Sequence, residues 1–324
     1  MKSMDAISKQ SSPPVIVIGG PTASGKSAAA LSLAHRIAAT IINADSMQVY
    51  RELSVLTARP SAADMAAAPH RLFGVMSVAE RCTAGRWREM ALGEIADAHS
   101  AGRLPILVGG TGLYLRALMA GLAAIPPIGP TVRAETQSRH RALGPAAFHA
   151  ELAVHDPETA ARLSPGDTQR VIRAYEVWHA TGRPLSAYQH ETPPAPSFTF
   201  ISLVLLPPHD VLRGAIDLRC RAMLTRGALD EVRSLIALHL DPSLPAMKAL
   251  GVREMARHLC GEIDRASALA LFQQATRQFA KRQRTWFRHQ MPEPQFWFAQ
   301  FSESISDEMF SFIRKKVDGF GLSL

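Results

Sequence analysis

The chain reads as an α/β protein: a P-loop, three-layer core on a parallel sheet, with an inserted all-helical subdomain and a helical C-terminal region. Three observations predict this. Gly20 to Ser27 spell G-P-T-A-S-G-K-S between the apolar run Val15-Ile16-Val17-Ile18 and an apolar-periodic stretch, Ala28 to Ala39. Strand, glycine loop and helix in that order are the context that makes a short pattern a credible phosphate-binding loop. Strand-like runs then alternate with helical patterns as far as Gly121, which implies parallel strands covered by helices. Beyond Gly121 the sequence turns polar, rich in Arg and His, and helical in pattern.

Strand-length apolar runs occur at Val15 to Ile18, Thr40 to Asn43, His70 to Val75 and Leu104 to Val108. Thr83 to His99 has helical periodicity, with Thr83 suited to the N-cap and Gly102 just past the end. The run Leu104 to Val108 enters Gly109-Gly110-Thr111-Gly112 and a further helix, Leu113 to Ala120. Ile125-Pro126-Pro127-Ile128-Gly129-Pro130 and Thr192-Pro193-Pro194-Ala195-Pro196 break any regular element and bracket the insert. Phe198 to Leu206 reads as a strand returning to the sheet. Helical patterns follow at Asp210 to Arg226, Ala228 to His239, Arg253 to Leu259 and Ser267 to His289. The expected division is a disordered leader over 1–13, a core over 14–124 and 197–295, the insert over 125–196, and a tail over 296–324.

Composition narrows the class of protein. At 324 residues the chain is longer than one hydrophobic core usually organises, and 47% hydrophobic content suffices for packed cores. The formal charge of +8 makes a polyanionic partner plausible. Cys82, Cys220 and Cys260 form no C-x-x-C pair, which argues against structural zinc or a disulfide framework and for a reducing, cytoplasmic setting. The leader has no apolar segment of signal-peptide type, and no run reaches the ~18 residues of a membrane span.

The P-loop predicts a polyphosphate site. Gly20 and Gly25 let backbone N–H groups of Gly20, Pro21, Thr22, Ala23, Ser24 and Gly25 curl around phosphate oxygens, apart from Pro21, which has none to offer. Lys26 supplies a cation, and the Ser27 hydroxyl is placed to ligate Mg²⁺. The pattern is shared with ATP-binding proteins and does not say which polyphosphate is held. Asp45 follows the strand Thr40 to Asn43 at the carboxyl edge of the sheet, where ligands bind. There it can act as metal ligand or general base, or cap an Asx turn. An ATP-hydrolysing P-loop protein normally ends a later strand with an acidic residue. Leu104 to Val108 instead ends in Gly109-Gly110-Thr111, and Thr111 is suited to bonding a phosphate or orienting Asp45.

Basic residues crowd the remainder. Arg170 and Arg173 lie one helical turn apart, Arg213, Arg219 and Arg226 recur at helical spacing, and Lys281, Arg282, Arg284 and Arg288 interleave with Trp286 and Phe287. Such a mixture can bind RNA phosphates and stack unpaired bases. The alternative is a solvated helical face with both aromatics turned inward.

The order G-P-T-A-S-G-K-S, D-S-M-Q-V-Y, A-P-H-R-L, V-G-G-T-G-L-Y, D-T-Q-R and K-R-Q-R-T-W closely resembles the bacterial tRNA dimethylallyltransferases, from about Val15 to Trp286. The resemblance implies transfer of a dimethylallyl group from dimethylallyl diphosphate to N6 of the adenosine 3′ of the anticodon, position 37, in tRNAs reading codons that start with U. The P-loop would then hold the diphosphate of an isoprenoid with Mg²⁺, so no ATPase carboxylate is needed. By the same resemblance Asp45 is the general base, Thr111 holds diphosphate and positions the acceptor, and Lys26 and Arg219 stabilise the leaving diphosphate. Segments matching tRNA contacts are Asp45, Ser46, Met47 and Gln48; Gln169, Arg170, Val171, Ile172 and Arg173; and Lys248 to Arg253. Thr111, Arg133, Lys281, Arg282, Arg284 and Arg288 join that set, and the insert would grip the anticodon stem through Arg173 and Arg183. The implied partners are the tRNA anticodon stem-loop and dimethylallyl diphosphate, with no membrane, for a monomer. Two departures stand out: Val252 where the family usually has Tyr, and Cys82-Thr83 in place of the usual Tyr-Ser. A relative prenylating a free adenine nucleotide and a P-loop small-molecule kinase are the rival readings. The basic insert and the missing carboxylate after Val108 weigh against them, respectively.

Overall fold

A computed structural model describes residues 12–318. The leader expected before Pro14 lies outside the described residues as far as Ser11, whereas the Pro13 carbonyl already accepts Thr199 N at 3.1 Å. Strand β1 (Pro14–Gly19) passes through the P-loop into α1 (Lys26–Ala34). β2 (Ala39–Asn43), α2 (Ala62–Ala67), β3 (His70–Arg71), α3 (Ala84–Ser100), β4 (Leu104–Gly109) and α4 (Gly112–Met119) follow. A separate compact unit, Ala120–Pro196, contains α5 (Pro130–His155), α6 (Pro157–Arg162), α7 (Thr168–Thr181) and α8 (Leu185–His190). The chain returns to the first unit with β5 (Thr199–Leu205), α9 (His209–Thr225), α10 (Ala228–Ala237), a 3-10 turn at Ala246–Lys248, α11 (Val252–Leu259), α12 (Arg265–Gln290), β6 (Gln295–Trp297) and α13 (Glu303–Val317).

All described strand pairs are parallel, in the order β3-β2-β4-β1-β5-β6. Ile16 sits between Ile106 and Ile201, so β1 is interior to the sheet and must bury both faces. Its residues divide with period two. Val15 and Val17 join Trp87, Ile95, Leu115, Ile216 and Phe287 on one face; Ile16 and Ile18 join Leu33, Ile41, Met309 and Ile313 on the other. The result is the expected three-layer α/β core. The inserted unit has its own core around Phe148, Leu152, Val171, Tyr175 and Val177. Its first helix is broken at Gly144, φ 76°, just before Pro145.

Three elements differ from the sequence reading. The strand expected over His70 to Val75 stops at Arg71, because Leu72 (φ 64°) and Gly74 (φ 63°) are left-handed and cannot continue a ladder. Helix α1 ends at Ala34 rather than near Ala39, since Ala39 is already paired with Leu104. The tail expected from Phe296 is part of the fold: β6 extends the sheet beside β5, and α13 buries Met309, Ile313 and Val317 against the α1 face. Ser32 Oγ meets Ser306 Oγ at 2.7 Å, and Arg36 pairs with Asp307 at 2.6 Å.

Ile313 is fully buried. Ile313→Ala is therefore expected to cost about 2–5 kcal/mol of unfolding free energy, read from the denaturant midpoint. A loosely attached tail would give a change within about 0.5 kcal/mol.

Candidate active site

The carboxyl ends of β1, β2 and β4 meet at one edge of the sheet, and the loops that leave them build the site. After β1 the chain turns through Gly20, Pro21, Thr22, Ala23, Ser24 and Gly25 into α1. Gly25 has φ 92°, and a Cβ there would lie 2.6 Å from Phe301 Cβ, so both backbone and space require glycine. The first bond of α1 runs from Ala29 N to Gly25 O (3.0 Å), so the amides of Lys26, Ser27 and Ala28 precede the ladder and remain for a ligand. Thr22 N is already occupied by Gln283 Oε1 at 2.8 Å. The loop thus offers phosphate fewer amides than its sequence suggests. Ser27 is exposed at the helix start, while the Lys26 ammonium donates to Pro21 O at 2.6 Å.

After β2, Asn43 shapes the turn that carries Asp45. Asn43 Oδ1 accepts Asp45 N (2.8 Å), and its Nδ2 donates to Asp45 O (2.9 Å) and Leu72 O (3.0 Å). Asp45 Oδ1 accepts Met47 N at 2.9 Å. The Asx turn and the cleft-facing carboxylate proposed as alternatives therefore coexist, since no protein donor among the described residues engages Oδ2. After β4, Gly109 lies against the Ala44 backbone where no Cβ could fit, which draws the β2 and β4 loops together. Thr111 N donates to Ala44 O (3.2 Å), and Thr111 Oγ1 accepts Ser46 N (2.9 Å) and donates to Ser46 Oγ (3.3 Å). Of the two readings of Thr111, orienting the Asp45 turn is the one its hydroxyl serves here.

Lys26, Ser27, Asp45, Gln48, Arg219 and Gln283 line a solvent-open cleft with about 550 Å³ of empty space, and Thr111 is not among its lining residues. Arg219 comes from α9 and donates to Thr57 O at 3.1 Å; Gln48 Nε2 donates to the same carbonyl at 3.0 Å. Burial pushes the half-buried Lys26 ammonium down to about 7, with the Asp45 carboxylate opposing the shift and Arg219 adding to it. Burial also lowers the Arg219 pKa, again against the pull of Asp45. Two desolvated cations facing one carboxylate leave the cleft short of negative charge, and an anionic ligand would supply it.

The remaining predicted residues separate by location. Lys248 and Arg253 are exposed, flanking the buried Val252 that begins α11. On α12, Lys281, Arg282 and Arg288 are exposed, whereas Arg284 is half-buried and donates to Pro207 O, so its guanidinium is structural. Trp286 packs over Gly112 and Phe287 is buried against Gly19, the inward arrangement of the aromatics. Met47 is half-buried against the core. In the inserted unit Gln169 and Arg170 are exposed, Arg133 and Ile172 are half-buried, and Arg173 lies 3.4 Å from Glu176. Val171 is 1% exposed in that unit's core, so its side chain is unavailable to tRNA. Arg183 pairs with Glu191 and covers the Tyr188 ring at 4.7 Å, which makes it a scaffold residue.

Sequence reasoning missed Gln283, Asn43 and Trp87. Gln283 is buried and joins the P-loop to the β4 loop, its Nε2 donating to Gly110 O at 3.0 Å. The available signal was its register with Ala280 and Phe287 on the apolar stripe of α12. Trp87 donates Nε1–H to Asn43 O at 2.8 Å and stacks on Tyr114 at 4.5 Å.

Residues 48–290 match the family model described as IPP transferase. A tRNA dimethylallyltransferase of Rhodospirillum centenum is 60% identical over 280 residues, 86% of this chain and 89% of that protein. One from Rhodospirillum rubrum is 53% identical over 291 residues, 89% of each chain. Among solved structures, the full-length tRNA isopentenylpyrophosphate transferase of Bacillus halodurans superposes with a TM-score of 0.70 at 30% identity, covering 95% of this chain and 98% of that one. A eukaryotic dimethylallyltransferase caught acting on tRNA gives a TM-score of 0.81 at 25% identity, over 96% and 80% of the two chains.

Lys26 yields a pH prediction. A diphosphate favours its charged form, so the donor-bound pKa lies above the free value of about 7. Below pH 7 the ammonium is already charged; above it, binding must take up a proton. Affinity for the donor is then expected to fall as pH rises from 7, by up to tenfold per unit. Titration calorimetry in buffers of different ionisation enthalpy should detect the proton uptake in the parent and not in Lys26→Met.

Proposed function

The chain belongs to the IPP transferase family of tRNA dimethylallyltransferases, and from that premise we propose how its own residues carry out the reaction. It is a prenyltransferase acting on tRNA. The finer reading is transfer of a dimethylallyl group from dimethylallyl diphosphate to N6 of adenosine 37, 3′-adjacent to the anticodon, in tRNAs reading codons that begin with U. The C–N6 bond forms, the allylic C–O bond breaks, the N6 proton passes to a base, and diphosphate leaves. The observation that supports this most directly is Asp45, whose Oδ2 has no protein donor among the described residues, in the same cleft as Lys26, Arg219 and the P-loop.

Each role follows from the chemistry. An exocyclic adenine amine is a weak nucleophile because its lone pair is delocalised into the ring, so a base that removes the proton as the bond forms lowers the barrier. Asp45 is that base. Diphosphate gathers charge on its bridging oxygen as the allylic carbon departs, and Lys26, Arg219 and the amides at the start of α1 meet that charge. Thr111 acts through Ser46, holding the turn that aims Asp45. Stacking must be broken before the amine can be reached, at a few kcal/mol and less in a single-stranded loop than in a duplex.

Magnesium suits the same cleft. The Ser27 hydroxyl at the helix start is a hard oxygen donor, and no cluster of three or more ligating side chains occurs among the described residues. That set fits an ion brought in largely by diphosphate oxygens, as magnesium usually is; when bound, it adds positive charge to the leaving group. No described helix is long and apolar enough to cross a membrane. Action as a monomer in a cytoplasmic setting completes the proposal, and the free cysteines suit that setting.

Incubation with Mg²⁺, dimethylallyl diphosphate and bacterial tRNA, followed by mass spectrometry of nucleosides, should show a dimethylallyl adduct on adenosine. Asp45→Asn should lower turnover by about 10²–10⁴-fold with tRNA affinity little changed; near-normal turnover would remove Asp45 from the role of base. Exposed Arg170 is the clearest phosphate contact in the inserted unit, because Arg173 is partly neutralised by Glu176. Affinity for tRNA should fall steeply with salt. Arg170→Ala should make the log–log slope shallower by about 1, and an unchanged slope would mark that helix face as merely solvated.

A further inference from the structure

Glu231, in the first turn of α10, takes no part in the chemistry above. Its carboxylate nevertheless holds a whole turn of backbone from another part of the chain. Oε2 accepts Ser54 N (2.7 Å), Val55 N (2.7 Å) and Ser54 Oγ (3.0 Å), and Oε1 accepts Leu56 N (2.9 Å). Three consecutive amides converging on one anion form a nest, and such charge-assisted bonds are roughly twice as strong as neutral ones.

The next residue carries the consequence. Thr57 is buried, and its Oγ1 closes the turn on Leu53 O at 2.7 Å. Its carbonyl receives both Gln48 Nε2 (3.0 Å) and Arg219 Nη2 (3.1 Å), two donors that line the cleft. An unbroken series of contacts therefore runs from Glu231 through the amides of 54–56 and the carbonyl of Thr57 to Arg219. Leu56, from the same turn, packs beside Gly251 at the start of α11, which limits where the turn can move.

We propose that Glu231 is a positioning residue for diphosphate departure: by fixing the Thr57 carbonyl, it sets the Arg219 guanidinium in the orientation that meets the leaving group. The inference rests on the role of Arg219 proposed above. A carboxylate at a helix start also favours the helix dipole. That effect needs no contact with residues 54–56, however, and Asp230 in the same turn would share it while pairing with Arg233. Displacements near 1 Å at a reacting centre can change rates up to 10²-fold, so a loosened turn is enough to be measurable.

Glu231→Gln leaves one acceptor oxygen and turns an NH₂ group toward amides that are themselves donors. The protein is expected to remain folded, with turnover about tenfold lower, KM for tRNA within twofold of the parent, and inhibition by inorganic pyrophosphate weakened about tenfold. In an Arg219→Ala background the same substitution should add less than twofold, because the group it positions is gone. Asp230→Asn should leave turnover and pyrophosphate inhibition within twofold. Independent, multiplying effects of E231Q and R219A would overturn the proposal while leaving Arg219 its role; so would a loss in D230N equal to that in E231Q. Parental turnover in R219A would overturn both assignments together. If E231Q does not fold, Glu231→Asp, which keeps both oxygens on a shorter stem, is carried through the same cycle with the same expected coupling.

Discussion

The site depends on one buried side chain that joins three segments far apart in sequence. Gln283 accepts Thr22 N with one end of its amide and donates to Gly110 O with the other. It thereby fixes the loops leaving β1 and β4 relative to each other and to α12. Removing it would strand the buried Gly110 acceptor, at about 1–3 kcal/mol, and leave the half-buried Thr22 donor unpartnered. The surface ion pairs elsewhere, such as Arg86 with Glu80 at 2.8 Å, contribute about 0–1 kcal/mol apiece. Neighbouring contacts point the same way. Phe287 fills the space left by Gly19, and Trp286 the space left by Gly112, so α12 can approach only because both loops begin or end in glycine.

Electrostatics in the cleft follow from that closure. With α12 and α9 covering the loops, Lys26 and Arg219 lose water, and burial is the largest cause of the lowered pKa of each. Asp45 offsets the loss only in part. The desolvation cost of these two cations is met by folding, so an anion entering the cleft would not have to meet it again. The hydroxyl of Thr111 has a different task. It is spent on Ser46, which steadies the turn that carries Asp45, whose Oδ2 has no protein donor among the described residues.

What was legible in the sequence was what periodicity and motif encode. The P-loop, the interior strands β1, β2, β4 and β5, and the cap Thr83 with its bond to Arg86 N follow from local patterns, whereas the inserted unit begins at Ala120, five residues before the expected bound. The shortened β3 was not legible, because left-handed Leu72 breaks the strand where its residue type favours continuing it. Val171 illustrates the same limit from the other side. A motif segment presents its residues together, whereas the helix that carries them turns Gln169 and Arg170 outward and Val171 into the core. Helix α13 could have been read from Met309, Ile313 and Val317, which recur at helical spacing. Gln283 and Glu231 act through tertiary contacts to segments 261 and about 176 residues away, and no local pattern marks such partners.

Those separations bear on how the site assembles. The P-loop holds one non-glycine residue, Ala23, in the left-handed region at φ 63°. Its clamps come from near the opposite end of the chain: Gln283 on Thr22 N, and Phe301 N on Ser24 O at 3.2 Å. Glycine accommodates the loop at Gly20 and Gly25, and contacts of very high sequence separation, whose loop-closure entropy opposes them, hold the remainder. The same holds for the face of α1 that α13 covers. The clamps on Thr22 and Ser24 exist only once residues 283 and 301 are in place. The catalytic geometry is thus tied to completion of the whole first unit, although the motif that announces it occupies eight residues near the start.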